Sequence, residues 1–364
     1  MSDSRPLSAV ILAAGQGSRM KSERPKPLHR LCGRPMLMYV LDSLRSCRPE
    51  SAVIVIGHKG DWVIKKIGEE EVEIRLEFVE QRVQRGTGDA ALIGVVGLPE
   101  DGEEEGDVVV LPGDAPLLRP ETIARLVDHH RSTEADVTVL TARLADPTGY
   151  GRIIRGKEGR VERVVEHSEA TPDELTIDEV NTSIYCFRRS LLAPALRRLA
   201  PDNTQGEYFL TDVVAVLSQA GYAVGSVDAP AAIEIGGVND RLQLAGAERE
   251  LRRRTNERLL RSGVTMLDPD NTFVDTTVAV GQDVTLFPGT ILQGDTSIGD
   301  GTEVGPSTRL VDCTVGAGAV VESTTARRAK IGDGAHVGPY AVLEPGADVP
   351  GDHRTGPFYN SSAD

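Results

Sequence analysis

Leu12-Ala13-Ala14-Gly15-Gln16-Gly17-Ser18-Arg19-Met20, followed by Arg24-Pro25-Lys26-Pro27-Leu28, joins an apolar run to a small-residue loop and two cations. The run itself, Ser8-Ala9-Val10-Ile11-Leu12, reads as a buried strand of a parallel sheet. Ala13, Ala14, Gly15 and Gly17 strip side chains from the turn, so a polyanion can approach the backbone, and glycine can adopt positive φ. Backbone N–H groups in such a turn, ahead of a helix N-terminus, make an anion nest. Arg19 can grip phosphate oxygens with its fork and Lys26 supplies a compact charge. Pro25 and Pro27 stiffen the segment that carries Lys26. A glycine turn after a strand also serves where no ligand binds; the arginine and the proline-flanked lysine are what point to phosphate. No G-K-[ST] closes the loop, which excludes a P-loop. The third glycine position of G-x-G-x-x-G holds Met20, so a dinucleotide fingerprint fits poorly. The expectation is a cradle for a nucleoside triphosphate.

Further strands follow at Ala52-Val53-Ile54-Val55-Ile56, Val108-Val109-Val110-Leu111 and Val137-Thr138-Val139-Leu140. Between them lie helical stretches such as Met36 to Leu44 and Glu121 to His130. This alternation predicts an α/β domain, a parallel sheet with helices on both faces. Glu103-Glu104-Glu105 reads as a solvated loop. Asp240 to Arg261 predicts a long helix with a capping box of Asp240 and Gln243, stopped by Ser262-Gly263. Beyond it aliphatic residues recur every six positions: Val274, Val280, Leu286, Leu292, Ile298, Val304 and Leu310. After a one-residue slip come Val315 and Val321, then an insertion through Arg327-Arg328-Ala329-Lys330, then Ile331, Val337, Leu343 and Val349. A hexapeptide period marks a parallel β-helix with the aliphatics inside, here expected to be short and left-handed. Repeat solenoids with flat faces commonly oligomerise, so a homotrimer through this part is expected. The expected division is 1–239, a linker helix 240–263, and hexapeptide repeats 264–364.

The chain of 364 residues is 40% hydrophobic and 26% charged, the composition of an ordinary soluble protein. Its net charge of −15 argues against non-specific binding to nucleic acid or anionic membranes. Cations that meet phosphate must therefore be placed locally, as Arg19 and Lys26 are. Cys32, Cys47, Cys186 and Cys313 are scattered and form no C-x-x-C, the pattern of reduced thiols. No signal peptide and no apolar run of membrane-spanning length is visible, so a cytoplasmic protein is expected.

Leu111-Pro112-Gly113-Asp114 places a carboxylate at the C-terminal edge of the sheet, where ligands sit in open α/β folds. An aspartate there also suits an Asx-turn or a helix cap. Beside a triphosphate cradle, ligation of Mg2+ is the stronger expectation, since that ion wants oxygen ligands. Gly237-Val238-Asn239-Asp240 offers a second oxygen: Asp240 suits the helix cap, which leaves Asn239 for the metal.

Nine segments then fall in a shared order: Leu12 to Met20, Pro25-Lys26, Gln81 with Gly86-Thr87-Gly88, Gly113-Asp114, Tyr150-Gly151-Arg152, Val165-Glu166-His167, Glu179-Val180-Asn181-Thr182, Gln205-Gly206-Glu207-Tyr208 and Gly237-Val238-Asn239. Together they resemble the family of bifunctional N-acetylglucosamine-1-phosphate uridyltransferase/glucosamine-1-phosphate acetyltransferases, across essentially the whole chain. The resemblance implies a Rossmann-like nucleotidyltransferase domain that makes UDP-N-acetylglucosamine and pyrophosphate from UTP and N-acetylglucosamine-1-phosphate. It implies that Leu12, Ala13, Ala14, Gly15, Arg19 and Lys26 hold UTP and its phosphates, and that Gln81, Gly86 and Thr87 read the uracil. Gly151, Glu166 and Asn181 would contact the amino-sugar, and Asp114 and Asn239 would bind Mg2+, with Arg19, Lys26 and Asp114 catalytic.

Departures are informative. Asp89 stands where the family usually has histidine, and Ser183 where it usually has glycine. A family coil motif L-R-P-G reads Leu343-Glu344-Pro345-Gly346, whose carboxylate would repel anionic ligands. His353, near a polar tail, reads as a surface residue, and no His-x-x-Tyr setting is present. Acetyl transfer is therefore expected to be absent. The alternatives are a nucleotidyltransferase for another sugar-1-phosphate with UTP or dTTP, a non-catalytic regulatory or assembly subunit, and an acyltransferase using the β-helix.

Overall fold

The structure is a computed structural model that describes residues 5–99, 105–156 and 159–362. Glu103 and Glu104 of the acidic run lie outside the described residues. The chain forms two units: Met1–His29 with Pro35–Gln243, and Arg30–Arg34 with Leu244–Asp364.

The elements run β1 (Leu7–Ala13), β2 (Arg30–Leu31), β3 (Arg34–Pro35), α1 (Met36–Asp42), β4 (Ser51–Ile56), α2 (Gly60–Ile67), β5 (Arg75–Glu80) and α3 (Thr87–Val96). Then come β6 (Asp107–Pro112), α4 (Pro120–Ser132), β7 (Val137–Arg143), β8 (Arg152–Arg155), β9 (Val161–Val165), α5 (Pro172–Leu175) and β10 (Glu179–Arg188). The series closes with α6 (Arg189–Leu196), α7 (Asp212–Gln219), β11 (Val224–Asp228) and α8 (Arg241–Arg261).

Alternation along β1 builds the first unit. Ala9 and Ile11 enter one core with Leu37 and Leu41 of α1, Val63 of α2 and Leu126 of α4. Val10 enters the opposite core with Ala91 of α3, Leu192 of α6 and Val213 of α7. A strand buried on both faces reads as a continuous apolar run, which is why β1, β4 and β6 were legible. The sheet order is β11-β7-β10-β6-β1-β4-β5. β1 pairs in parallel with β4 and β6, but β10 runs antiparallel to both β6 and β7. The sheet is thus mixed, not wholly parallel as expected. Its departure starts with the antiparallel β8–β9 pair, which turns the chain back without the helical crossover that parallel pairing needs.

Helix α8 starts on a variant of the expected box. Asp240 Oδ1 accepts from Gln243 N at 2.8 Å, but the Gln243 side chain returns to Asn239 N at 2.7 Å, one residue earlier than expected. Gly263, at φ +98°, ends it, with Val264 N donating to Leu259 O. No helix among the described residues is long and apolar enough to cross a membrane.

The second unit is a left-handed parallel β-helix of three five-stranded sheets. Leu286, Leu292, Ile298, Val304 and Leu310 all point into its core. The expected insertion at Arg327 to Lys330 is absent. Ala326, 1% exposed, fills the inward slot between Leu310 and Leu343, and Ile331 fills the next. The coil is shorter there: Ile291 pairs with Arg309, 18 residues on, but Arg309 pairs with Thr325, 16 on. Tighter turns and a small alanine replace the missing residues. Residues 30–34 pack within this same unit, where Cys32 N donates to Glu248 Oε2 at 2.7 Å and Thr276 N to Cys32 O at 3.1 Å.

Candidate functional site

All fourteen residues singled out above as a candidate site line one cleft of about 670 Å³ in the first unit. That size suits a nucleotide-scale ligand.

Two glycines let its floor close. The chain after β1 rises past Ala14, whose carbonyl accepts from Gln84 Nε2 at 2.7 Å. Gly17 sits at φ +62°, and a Cβ there would lie 2.9 Å from Lys26 Cβ. Only glycine meets both demands, so the loop can fold down onto Lys26. At the end of β6, a Cβ on Gly113 would lie 2.9 Å from Ala13 Cβ. Its absence brings β6 against β1, and Gly113 N donates to Leu12 O at 2.8 Å. Asp114 follows directly, and its carbonyl accepts from Val238 N at 2.8 Å, which draws Asn239 alongside.

Four charged or polar groups converge here. Lys26 Nζ pairs with the Asp114 carboxylate and donates to Asn239 Oδ1 at 2.8 Å. Arg19, exposed, donates from Nη2 to the same Asn239 oxygen at 3.0 Å. The cap on α8 thus uses the backbone N–H of Asn239 and leaves out its side chain, which is engaged by both cations. Asp114 and Asn239 turn two oxygens onto one ammonium group. This donor set fits a divalent cation that keeps waters and phosphate oxygens as its remaining ligands. No group of three or more His, Cys, Asp or Glu among the described residues could hold a metal.

One wall is made by Gly86-Thr87-Gly88 against Glu207-Tyr208. Gly86, at φ +106°, leaves no room for a Cβ, which would lie 2.5 Å from Tyr208 O. Gly88 N donates to Tyr208 O at 2.7 Å, Tyr208 N to Arg85 O at 2.8 Å and Leu210 N to Thr87 Oγ1 at 3.0 Å. Gln81, buried, follows β5 and faces this wall.

The far wall comes from β8, β9 and β10. Asn181 N bonds Gly151 O at 2.9 Å, tying two motif residues together. β10 slips register between Asn181 and Tyr185, and Ser183 in that bulge takes φ +60°. Burial pushes the Glu166 carboxyl above the usual carboxylate range, against a hydrogen bond from Thr211 Oγ1 at 3.0 Å that favours the ion.

Sequence reasoning missed Tyr185, Thr211 and Gln84 on these walls. Among the described residues the buried Tyr185 hydroxyl meets no hydrogen-bond partner within bonding geometry, and burial and the Glu166 charge push its pKa up against the opposing influence of the nearby Asn181 side chain. A tyrosine in the otherwise apolar Ile184-Tyr185-Cys186 was the available signal.

A model of the MobA-like NTP transferase domain matches residues 9–216. The chain is 44% identical to the bifunctional protein GlmU of Streptomyces avermitilis over 98% of its own length and 74% of that protein's. It is 45% identical to the protein of that name from Thermobifida fusca, over 91% and 68% respectively. With the protein of the same name from Halalkalibacterium halodurans it shares 43%, over 96% and 75%. Among solved structures, a UDP-glucose pyrophosphorylase complexed with UDP-glucose superposes with a TM-score of 0.55 at 16% identity, over 68% of this chain and 99% of that one. That likeness is one of fold.

Proposed function

The chain belongs to the MobA-like NTP transferase family and, within it, to the GlmU bifunctional proteins, and from that membership we propose that its cleft makes UDP-N-acetylglucosamine from UTP and N-acetylglucosamine-1-phosphate. The observation that carries this reading is the gathering of Arg19, Lys26, Asp114 and Asn239 at one end of a cleft whose other walls hold Gln81, Glu166 and Asn181. A sugar-phosphate nucleotidyltransferase needs such a division between a phosphate end, a base wall and a sugar wall.

In the reaction a sugar-phosphate oxygen attacks the α-phosphorus of UTP in line, the bond to the β-phosphate bridging oxygen breaks, and pyrophosphate leaves. The attacking phosphate is already ionised, so no residue need act as a general base. The protein's part is alignment and charge neutralisation. Lys26 and Arg19 leave their Asn239 contact for phosphate oxygens. Asp114 and Asn239 would hold Mg2+, which when bound neutralises the phosphates of both substrates. Glu166 and Asn181 orient the amino-sugar.

Domain 1–239 carries this chemistry in the proposal, 240–263 is a linker helix, and the β-helix of 264–364 assembles a homotrimer. The exposed, stacked rings of Tyr340 and Phe358, 5.2 Å apart, supply an apolar contact for assembly. Light scattering should return three chains per particle. The protein works where its soluble substrates are, in the cytoplasm. Acetyl transfer is absent in the proposal, because exposed Glu344 stands where the family has an arginine. CoA release from acetyl-CoA and glucosamine-1-phosphate would overturn that part.

The main test assays pyrophosphate release across a panel of nucleoside triphosphates and sugar-1-phosphates with Mg2+. UTP with N-acetylglucosamine-1-phosphate should be the best pair. Preference for another sugar or for dTTP would redirect the substrate assignment, and no turnover with any pair would sink the enzyme reading.

A further inference from the structure

Gln81 carries an ambiguity that sequence cannot resolve. Its amide offers a carbonyl acceptor on one side and an NH2 donor on the other, and either could face a ligand. In this chain the choice is made by a neighbour outside the cleft lining. Gln81 Nε2 donates to Asp89 Oδ2 at 2.8 Å and to Gly86 O at 3.2 Å. Both amide hydrogens are thereby spent. The reverse orientation would aim the Gln81 oxygen at a carboxylate and a carbonyl, two groups with no hydrogen to offer. Asp89 is in turn fixed: it lies in the first turn of α3, where a carboxylate is favoured by the helix N-terminus. Gln81 itself is anchored by N donating to Ile56 O at 2.8 Å, and is only 4% exposed. Its Oε1 accepts no hydrogen bond among the described residues, and the side chain lines the cleft.

We propose that Asp89 locks the Gln81 amide with its oxygen toward the ligand, so that the cleft selects pyrimidines with an imide N–H, uracil and thymine, over cytosine. Uracil and thymine present a ring N3–H that this oxygen accepts. Cytosine presents a lone pair at the same atom, and two acceptors then face each other. A site built to hydrogen-bond one edge rejects the analogue that leaves its polar group unpaired. Asp89 is a positioning residue: it acts on the base only through Gln81. The inference rests on the proposed nucleotidyl transfer from UTP, and deepens it by naming what sets the base.

The test compares UTP, dTTP and CTP in the full chain with Mg2+, by pyrophosphate release and by calorimetric binding, for the native protein, Asp89→Asn and Gln81→Ala. Asp89→Asn keeps size and shape but can donate to the Gln81 oxygen, so the reversed amide gains a partner and is opposed only by the longer contact to Gly86 O. The native protein should prefer UTP to CTP by about tenfold or more, and bind dTTP within a few-fold of UTP at the base. In Asp89→Asn that preference should fall to within about threefold, the loss lying in KM for UTP and not in kcat. Gln81→Ala should lose the preference as well. A UTP-over-CTP ratio unchanged in Asp89→Asn but lost in Gln81→Ala would overturn the role of Asp89. A native protein that turns over UTP and CTP equally would overturn the selection itself. Absence of turnover with every triphosphate would overturn the parent reading, and this inference with it, and is distinguished from both by the missing native signal.

Discussion

Replacing Gly17 by alanine tests whether the loop after β1 matters for its shape or merely for its small size. The backbone at Gly17 is left-handed, φ +62° and ψ 30°. An alanine there costs about 1–2 kcal/mol of strain. In a unit of this size that corresponds to a loss of about 2–8 °C in Tm. A second effect is local: the new Cβ would lie 2.9 Å from Lys26 Cβ, closer than packed side chains approach. The contact falls near the Lys26 backbone, not on its mobile tip, so the lysine must move by a few tenths of an ångström or more. Misplacement on that scale at a charge-neutralising group should cost on the order of tenfold to a hundredfold in kcat/KM. Gly221→Ala is the control. Gly221 lies in the turn after α7 at φ +86° with nothing within 4 Å of its Cβ position. It should share the loss of Tm and keep full activity. The assay is pyrophosphate release well below both melting transitions, alongside thermal denaturation. If Gly17→Ala loses stability like the control but keeps native kcat/KM, the argument that Gly17 sets the position of Lys26 is wrong.

Other outcomes follow from single residues. Asp114→Ala should abolish turnover and metal binding by titration while the fold survives; retained activity would remove Asp114 from the reaction. Ser183→Gly should raise stability by about 1 kcal/mol by relieving a serine at φ +60°, read as a higher Tm, and an unchanged or lower Tm would refute the strain. Asp107 is buried, which alone would raise its pKa. Arg131, whose Nε donates to Asp107 Oδ2 at 2.8 Å, and the His130 ring, 3.6 Å from Oδ1, together outweigh burial and hold it below the usual carboxylate range. Its folded pKa being depressed, its contribution is present above about pH 4 and is lost as pH falls through the lowered value. Asp107→Asn should therefore cost about 2 kcal/mol near pH 7 and flatten the acid limb of a urea-midpoint profile. A parallel acid limb in the variant would exclude Asp107 as its source.

Legibility tracked the range of the interaction that decides each feature. Val10 and Ile11 announce a strand because burial on both faces leaves no polar residue in the run. The direction of β10 does not show in Glu179–Arg188, since pairing partners far apart in sequence settle it. The six-residue period revealed the β-helix, yet Ala326 escaped notice because alanine is a weak inward signal and the turns around it are short. In the site, Arg19, Lys26, Asp114 and Asn239 were readable from residue type and chain order. Their convergence on Lys26 was not, because it depends on how Gly17 and Gly113 let backbones meet. Asp89 showed only as a departure from a family pattern. Its bond to Gln81 is a matter of side-chain geometry, which no spacing rule encodes. The buried Tyr185 hydroxyl was hidden for the same reason.

The central claim is that one cleft joins a uridylyl group to an amino-sugar phosphate. The most direct measurement follows the phosphorus NMR spectrum of UTP and N-acetylglucosamine-1-phosphate mixed with the protein and Mg2+. The triphosphate and the sugar monophosphate signals should fall together as those of a sugar diphosphate nucleotide and pyrophosphate rise. A spectrum that stays unchanged, or one in which UTP breaks down while the sugar phosphate is untouched, would contradict it.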